Sequence, residues 1–260
     1  MQILFIGDIV GRPGRECVRQ VLPGIKKEYS IDLVIANGEN AAGGMGITAP
    51  VLSELKEMGI DVITGGNHIW DKKEVFDFID SEPGLLRPAN YPAGTPGRGW
   101  TVVEVKGTSV AVLNLVGRIF MPPLDCPFRR AKEEVDKLRD IAKIIIVDFH
   151  AEATSEKQAL GWHLDGRVHG VIGTHTHVQT ADERLLPGGT AYITDVGMTG
   201  LHDSILGMDR EPALYRFTTG LPARMNISRG RSQFNAVVLG FEMDTFKTRF
   251  IKRLSFLYPE

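Results

Sequence analysis

The chain has 260 residues, of which 43% are hydrophobic and 24% charged, and its formal net charge is −2. This is ordinary globular composition for one large α/β domain or two small ones, and it gives no electrostatic reason to expect a nucleic-acid or anionic-membrane partner. Cys17 and Cys126 cannot form a disulfide framework, and the apolar run near Met1 is too short for a signal peptide or membrane span, so a cytoplasmic protein with reduced thiols is expected.

Ile3-Leu4-Phe5-Ile6, ended by Gly7-Asp8, is the continuous apolar run of a strand buried on both faces. Gly11-Arg12-Pro13-Gly14 reads as a turn, and Val18, Val21, Leu22 and Ile25 recur at helical spacing over about 15–27. Leu33-Val34-Ile35-Ala36 is a second strand, ending in Asn37-Gly38-Glu39-Asn40. A glycine-rich loop over 41–46 leads to a helix over 50–58. Val62-Ile63-Thr64 is a third strand, ending in Gly65-Gly66-Asn67-His68, and the Pro- and Gly-rich stretch 87–99 reads as an irregular surface crossing. Residues 101–105 and 110–115 form a hairpin, 128–142 an amphipathic helix, and Ile144-Ile145-Ile146-Val147 a strand running into Asp148-Phe149-His150. Two more strands, 168–172 and 191–194, end in Gly173-Thr174-His175-Thr176-His177 and in Asp195-Val196-Gly197; 234–241 and 247–254 alternate as an antiparallel hairpin. Strands alternating with helices predict an α/β fold with largely parallel central strands, and the lack of linkers or repeats favours a single domain over 1–260.

Polar residues collect where these strands end. Asp8, Glu39, Asn67-His68, His150 and the pair His175/His177 each follow an apolar run directly. In open α/β sheets ligands bind outside the carboxyl ends of the strands. Five strand ends thus bring two carboxylates, one or two amide oxygens and four imidazoles to one rim. His175 and His177 are two residues apart, and on an extended backbone such residues point to the same side. The mix suits Zn, Mn or Fe and exceeds what one four-coordinate ion needs, so a two-metal centre fits. Paired ions roughly 3.5–4 Å apart are the usual device for displacement at phosphorus. Taken singly, Asp8 or Asn67 reads as a turn cap and His68 as a core histidine; the joint pattern points to metal. His163, His169 and His202 match no ligand slot and read as surface or packing residues.

The order Gly-Asp, Gly-Glu-Asn, Gly-Asn-His, His, Gly-x-His-x-His resembles the calcineurin-like metallophosphoesterases. Asn37-Gly38-Glu39-Asn40-Ala41-Ala42, Gly66-Asn67-His68-Ile69-Trp70-Asp71, Asp148-Phe149-His150-Ala151-Glu152-Ala153 and Thr194-Asp195-Val196-Gly197-Met198 resemble their YmdB-like branch, and the resemblance covers essentially the whole chain. It implies a layered α/β/β/α sandwich with mixed central sheets and the metal site at the carboxyl ends of the strands. It also implies two divalent or trivalent metal ions, iron or manganese. One would be held by Asp8, Asn40, His177 and Glu39, the other by Asn67, His150, His175 and the same bridging Glu39. The implied reaction is hydrolysis of a small-molecule phosphoester, 2′,3′-cyclic nucleotides in particular, by a metal-bridging hydroxide, with His68 as general acid.

The chain departs from the broader superfamily at several positions. Val10 stands where that superfamily has a histidine ligand and Glu39 replaces its bridging aspartate; the YmdB-like resemblance implies that Asn40 fills the vacant place beside Asp8. Ile69 replaces the acid that follows Gly-Asn-His, leaving Asp71 as the nearest carboxylate to orient His68. Glu152 and Glu156 read as supports of the His150 loop or its helix start, or as surface charge. The segment 198–208 reads as a substrate lid or a mobile loop. A phosphomonoesterase, and a regulatory or RNA-associated binding protein with secondary catalysis, are the other functions to separate. The apolar edges of the C-terminal hairpin are compatible with a homo-oligomer.

Overall fold

The computed structural model describes residues 1–227 and 230–258. In chain order it runs β1 (Gln2–Ile6), β2 (Asp8–Ile9), α1 (Gly11–Glu28), β3 (Leu33–Asn37), α2 (Ala49–Glu57), β4 (Val62–Thr64) and β5 (Leu85–Leu86). It continues with β6 (Trp100–Val105), β7 (Thr108–Val116), α3 (Pro127–Leu138), β8 (Ile144–His150), α4 (Thr154–His163), β9 (Gly170–Thr174), β10 (Arg184–Leu185) and β11 (Ala191–Ile193). The last elements are β12 (Met198–Leu201), α5 (Arg210–Thr219), β13 (Ser232–Phe241) and β14 (Thr248–Tyr258). No described helix is long and apolar enough to cross a membrane.

These strands form two mixed sheets. One has the order β2-β12-β13-β1-β3-β4-β5, with β14 also on β13; the other has the order β10-β11-β9-β8-β7-β6. Within them β1, β3, β4 and β5 run parallel, as do β7, β8, β9 and β11, while β13 and β6 are antiparallel to their neighbours. The layering follows from side-chain alternation. Ile3 and Phe5 of β1 pack with Val110 and Val112 of β7 and with Ile144 and Ile146 of β8 in the seam between the sheets. Leu4 and Ile6 point the other way, onto Val18, Leu22 and Ile25 of α1. On the far side Ala111, Leu113, Ile145 and Val147 meet Ala131, Val135 and Leu138 of α3 and Leu160 of α4. Both faces of each central strand are covered, which is why those strands read as unbroken apolar runs. The result is the α/β/β/α sandwich.

Several boundaries move from the sequence expectation. The segment 11–14 is the first turn of α1 rather than a separate turn, because Pro13 falls where a helix needs no N–H donor. Helix α3 ends at Leu138, short of the expected 142. Residues 198–201, expected in a lid or mobile loop, form the buried strand β12, paired with both β2 and β13, so only 202–208 remains as loop. The hairpin β6–β7 turns tightly at Lys106 (φ 52°) and Gly107 (φ 77°), two positive angles that match the twist of its strands.

Candidate metal centre

The carboxyl ends of β1, β3 and β4 from one sheet meet those of β8 and β9 from the other. The rim is therefore a junction of two sheets rather than the edge of one. Glu39 lies at its middle. Its Oε1 is 3.0 Å from His150 Nε2 and accepts a 3.4 Å bond from Asn40 Nδ2, while Oε2 accepts the His68 backbone N–H at 2.9 Å. On one side of Glu39, His150 Nε2 is 3.0 Å from Asn67 Oδ1 and 3.0 Å from His175 Nδ1. Ligand atoms of Glu39, His150 and His175 all fall within 4.8 Å of one another. On the other side, His177 Nε2 is 3.7 Å from Asp8 Oδ1 and 3.2 Å from the Asn40 amide. A half-turn of that amide would present its oxygen instead. Asp8, Glu39, Asn40 and His150 are buried. All seven residues named from the sequence as ligands thus come together, in two groups joined by Glu39.

The donor set passes a test of fit. Asp8 Oδ1 is buried with no hydrogen-bond partner. An unpaired buried carboxylate oxygen is costly unless something charged meets it, and a cation between it and His177 Nε2 would.

His175 and His177 do not share a face through an extended backbone. Strand β9 stops at Thr174, and the two histidines have φ of 102° and 64°. This irregular turn sends His175 toward His150 and His177 toward Asp8. His177 is held from behind, since its Nδ1 donates to the Leu206 carbonyl at 3.1 Å. Close approach also explains Gly66, where a Cβ would lie 2.3 Å from His150 Cδ2 and 2.4 Å from Glu39 Oε2. Gly66→Ala is expected to push these two groups apart and to abolish metal retention, checked by metal content per folded chain.

Charge in the centre follows from burial and proximity. Burial works to raise Glu39, but His150 and then His68 outweigh it and hold the carboxyl at about 2. Burial opposes the charge on His150, yet Glu39 and Asp8 lift it to about 9. Burial, helped by His150, takes His175 down to about 3, so it is a neutral imidazole at physiological pH. Burial also raises Asp8, against His177 and His150, and raises Asp148 to about 7.

Asp148 was not singled out from the sequence. It shares a face of β8 with His150 two residues on, and its Oδ1 accepts the Thr174 hydroxyl at 2.7 Å. Thr174 Oγ1 in turn lies 3.0 Å from His150 Nδ1, and Thr64 donates to the other Asp148 oxygen. The chain fixes a proton on Nδ1 and turns Nε2 toward Glu39.

His68 Nδ1 sits 2.7 Å from Asp71 Oδ2, and its ring lines a cavity of about 270 Å³ together with Glu39, Met45, His175, Leu206 and Met208. Glu152 Oε2 is 3.1 Å from His175 Nε2. Glu156 supports a different loop from the expected one, accepting the N–H groups of Arg118 and Ile119 at 3.1–3.2 Å.

The three remaining histidines lie elsewhere. His163 packs edge-on to Phe128, and His202 bonds Gln233 at 2.8 Å. His169 accepts the Ile145 N–H at 3.0 Å, and burial lowers it to about 4. With its folded pKa depressed, its contribution is present above the unfolded value of about 6.5 and is lost as pH falls toward 4. This amounts to about 3 kcal/mol over that window. Urea midpoints measured from pH 7 to pH 4.5 should fall less steeply for His169→Gln than for the parent.

The profile of the family described as YmdB-like protein matches residues 4–254. The chain is 55% identical over 254 residues to the 2′,3′-cyclic-nucleotide 2′-phosphodiesterase of Bacillus subtilis (strain 168), covering 98% of this chain and 96% of that one. A crystal structure of a novel phosphatase from Mycoplasma pneumoniae superposes with a TM-score of 0.95 at 34% identity, over 100% of this chain and 94% of that one. A hypothetical protein from Thermus thermophilus superposes with a TM-score of 0.94 at 46% identity, over the whole of both chains. By sequence over nearly its full length and by its metallophosphoesterase-like layered fold, the chain belongs to the YmdB-like protein family.

Proposed function

We propose that the protein is a phosphodiesterase that opens 2′,3′-cyclic nucleotides at a centre holding two iron or manganese ions, within one domain spanning 1–260. The observation that carries this reading is the buried, unpartnered Asp8 oxygen within two donor groups that share Glu39. The substrate class comes from the name of the B. subtilis relative. The donors are carboxylate and amide oxygens and imidazole nitrogens with no thiolate, a set that suits manganese or iron. Asp8, Asn40 and His177 would hold one ion, Asn67, His150 and His175 the other, and Glu39 would give one oxygen to each. When bound, such ions acidify water and neutralise charge on phosphoryl oxygens.

The chain's own groups do the rest. Asp148, through Thr174, holds the His150 Nδ1 proton and aims Nε2 inward, where it would give up its own proton to a bound ion. Asp71 fixes His68 by Nδ1, leaving Nε2 with no hydrogen bond among the described residues and free to carry a proton at the cavity. In a 2′,3′-cyclic substrate, a water gives one proton to solvent and its oxygen bonds to phosphorus as the bond from phosphorus to the ribose 2′ oxygen breaks. His68 Nε2 protonates that departing oxygen. The wall of Met45, Leu206 and Met208 offers apolar surface to a base. The free thiols of Cys17 and Cys126 fit a cytoplasmic setting.

Rates on 2′,3′-cyclic AMP and on the matching monophosphates, using anaerobically purified protein, test the proposal. The cyclic diester should be hydrolysed much faster. A faster monoester rate would make the protein a phosphomonoesterase, as the name of the M. pneumoniae neighbour suggests. No turnover of either would favour the binding-protein reading.

A further inference from the structure

The turn that presents His175 and His177 holds both residues at positive φ, 102° and 64°, and neither is glycine. Such angles are strained for a residue with a side chain and persist only where the surroundings impose them. The residue between them, Thr176, is gripped from below. Asp195 Oδ2 accepts its backbone N–H at 3.0 Å and its hydroxyl at 2.8 Å. The same oxygen takes a 2.6 Å bond from Lys157 Nζ, an ammonium that α4 carries into the interior at 1% exposure. The other oxygen, Oδ1, accepts the Gly197 N–H at 2.8 Å, and the Gly197 carbonyl accepts the Asp8 N–H at 3.0 Å. Asp195 is itself anchored through its main chain, its N–H donating to Thr180 Oγ1 at 2.9 Å and its carbonyl accepting the Thr180 N–H at 3.0 Å.

We propose that Asp195, charge-balanced by Lys157, is a positioning residue that sets the spacing of the metal centre. It ties the His175-Thr176-His177 turn and, through Gly197, the Asp8 backbone to one buried carboxylate. The inference rests on the two-ion reading above. One side chain thereby fixes ligands on both sides of Glu39: His175 of one group, His177 and Asp8 of the other. A buried ion pair is a poor source of stability compared with apolar residues of the same volume. Its place beneath the one strained turn that carries two imidazoles has a better explanation in geometry. An aspartate is required because both of its oxygens act as acceptors. An asparagine can accept at only one of them, and its NH₂ would face either the Thr176 donors or the Gly197 N–H.

The test is Mn²⁺ binding, read by titration calorimetry and by the electron paramagnetic resonance spectrum of the loaded protein. The double variant K157M/D195N removes both charges and so avoids stranding a buried ammonium. It should remain folded, bind Mn²⁺ about 10–100-fold more weakly, and show an altered spectrum. Thr176→Val, which deletes only the hydroxyl bond and keeps the core pair, should weaken binding about tenfold, and Thr176→Ser should restore it. Parent-like affinity and spectrum in T176V, or in a folded K157M/D195N, would overturn the brace. Absence of Mn²⁺ binding by the parent chain would instead overturn the metal-centre reading, and the brace with it.

Discussion

Glu39→Gln is expected to empty the centre and to stop hydrolysis together. Glu39 is buried, and its Oε1 is 3.0 Å from His150 Nε2. Glutamine keeps the volume and one carbonyl oxygen but removes the charge and replaces the second oxygen with an amide donor. That donor cannot ligate a cation and points into a space already crowded by Gly66 and His150. Ions of this kind supply several kcal/mol of charge stabilisation in the transition state. The loss in kcat/KM should therefore be about 10³-fold or more, at any added metal concentration the protein tolerates. Metal per chain and hydrolysis of 2′,3′-cyclic AMP should fall in parallel, with the circular dichroism spectrum unchanged. A variant that retains its metal and its rate would show that Glu39 does not bridge.

His68→Ala should behave differently. Its backbone N–H, which bonds Glu39 at 2.9 Å, survives the substitution, so metal content should hold. What is lost is the proton at Nε2. General acid catalysis contributes about 10²–10⁴-fold, and kcat on a cyclic nucleotide should drop by that amount. A diester with a p-nitrophenolate leaving group needs no proton, and there the loss should shrink to less than about tenfold. Equal losses on both substrates would assign His68 to substrate binding instead. Asp71→Asn should give a smaller loss of the same kind, because the 2.7 Å bond to Nδ1 orients the ring without itself reaching the cavity.

How much of this was readable in the sequence depended on the kind of signal. Ile3–Ile6, Leu33–Ala36 and Ile144–Val147 announced themselves because strands covered on both faces carry unbroken apolar runs. Their ends, with that of Val62–Thr64, carry Asp8, Glu39, His150 and Asn67, so these candidate ligands could be read from the position they share. Helix α5 was missed because it buries only Ala213 and leaves Leu214 and Phe217 exposed, which erases the helical stripe. Strand β12 was missed because Met198-Thr199-Gly200-Leu201 has no alternation, and its place is set by β2 and β13 on either side. Lys157, Asp148 and Asp195 were beyond reach for another reason. Each is a charged residue whose meaning lies in a partner 26 to 38 positions away, at Thr174 or at each other. The face shared by Asp148 and His150 on β8 was the one local clue. The positive φ of His175 and His177 likewise has no signature in a Gly-Thr-His-Thr-His string, where an extended chain was the natural reading.

The measurement that bears most directly on the central claim is metal stoichiometry with position. Anaerobically purified protein would be analysed by elemental mass spectrometry, and anomalous scattering from its crystals would locate the ions. The account predicts two ions per chain, roughly 3.5–4 Å apart, one touching Asp8 and His177, the other His150 and His175, with a Glu39 oxygen on each. A single ion confined to Glu39, His150 and His175, with Asp8 left unbound, would contradict it.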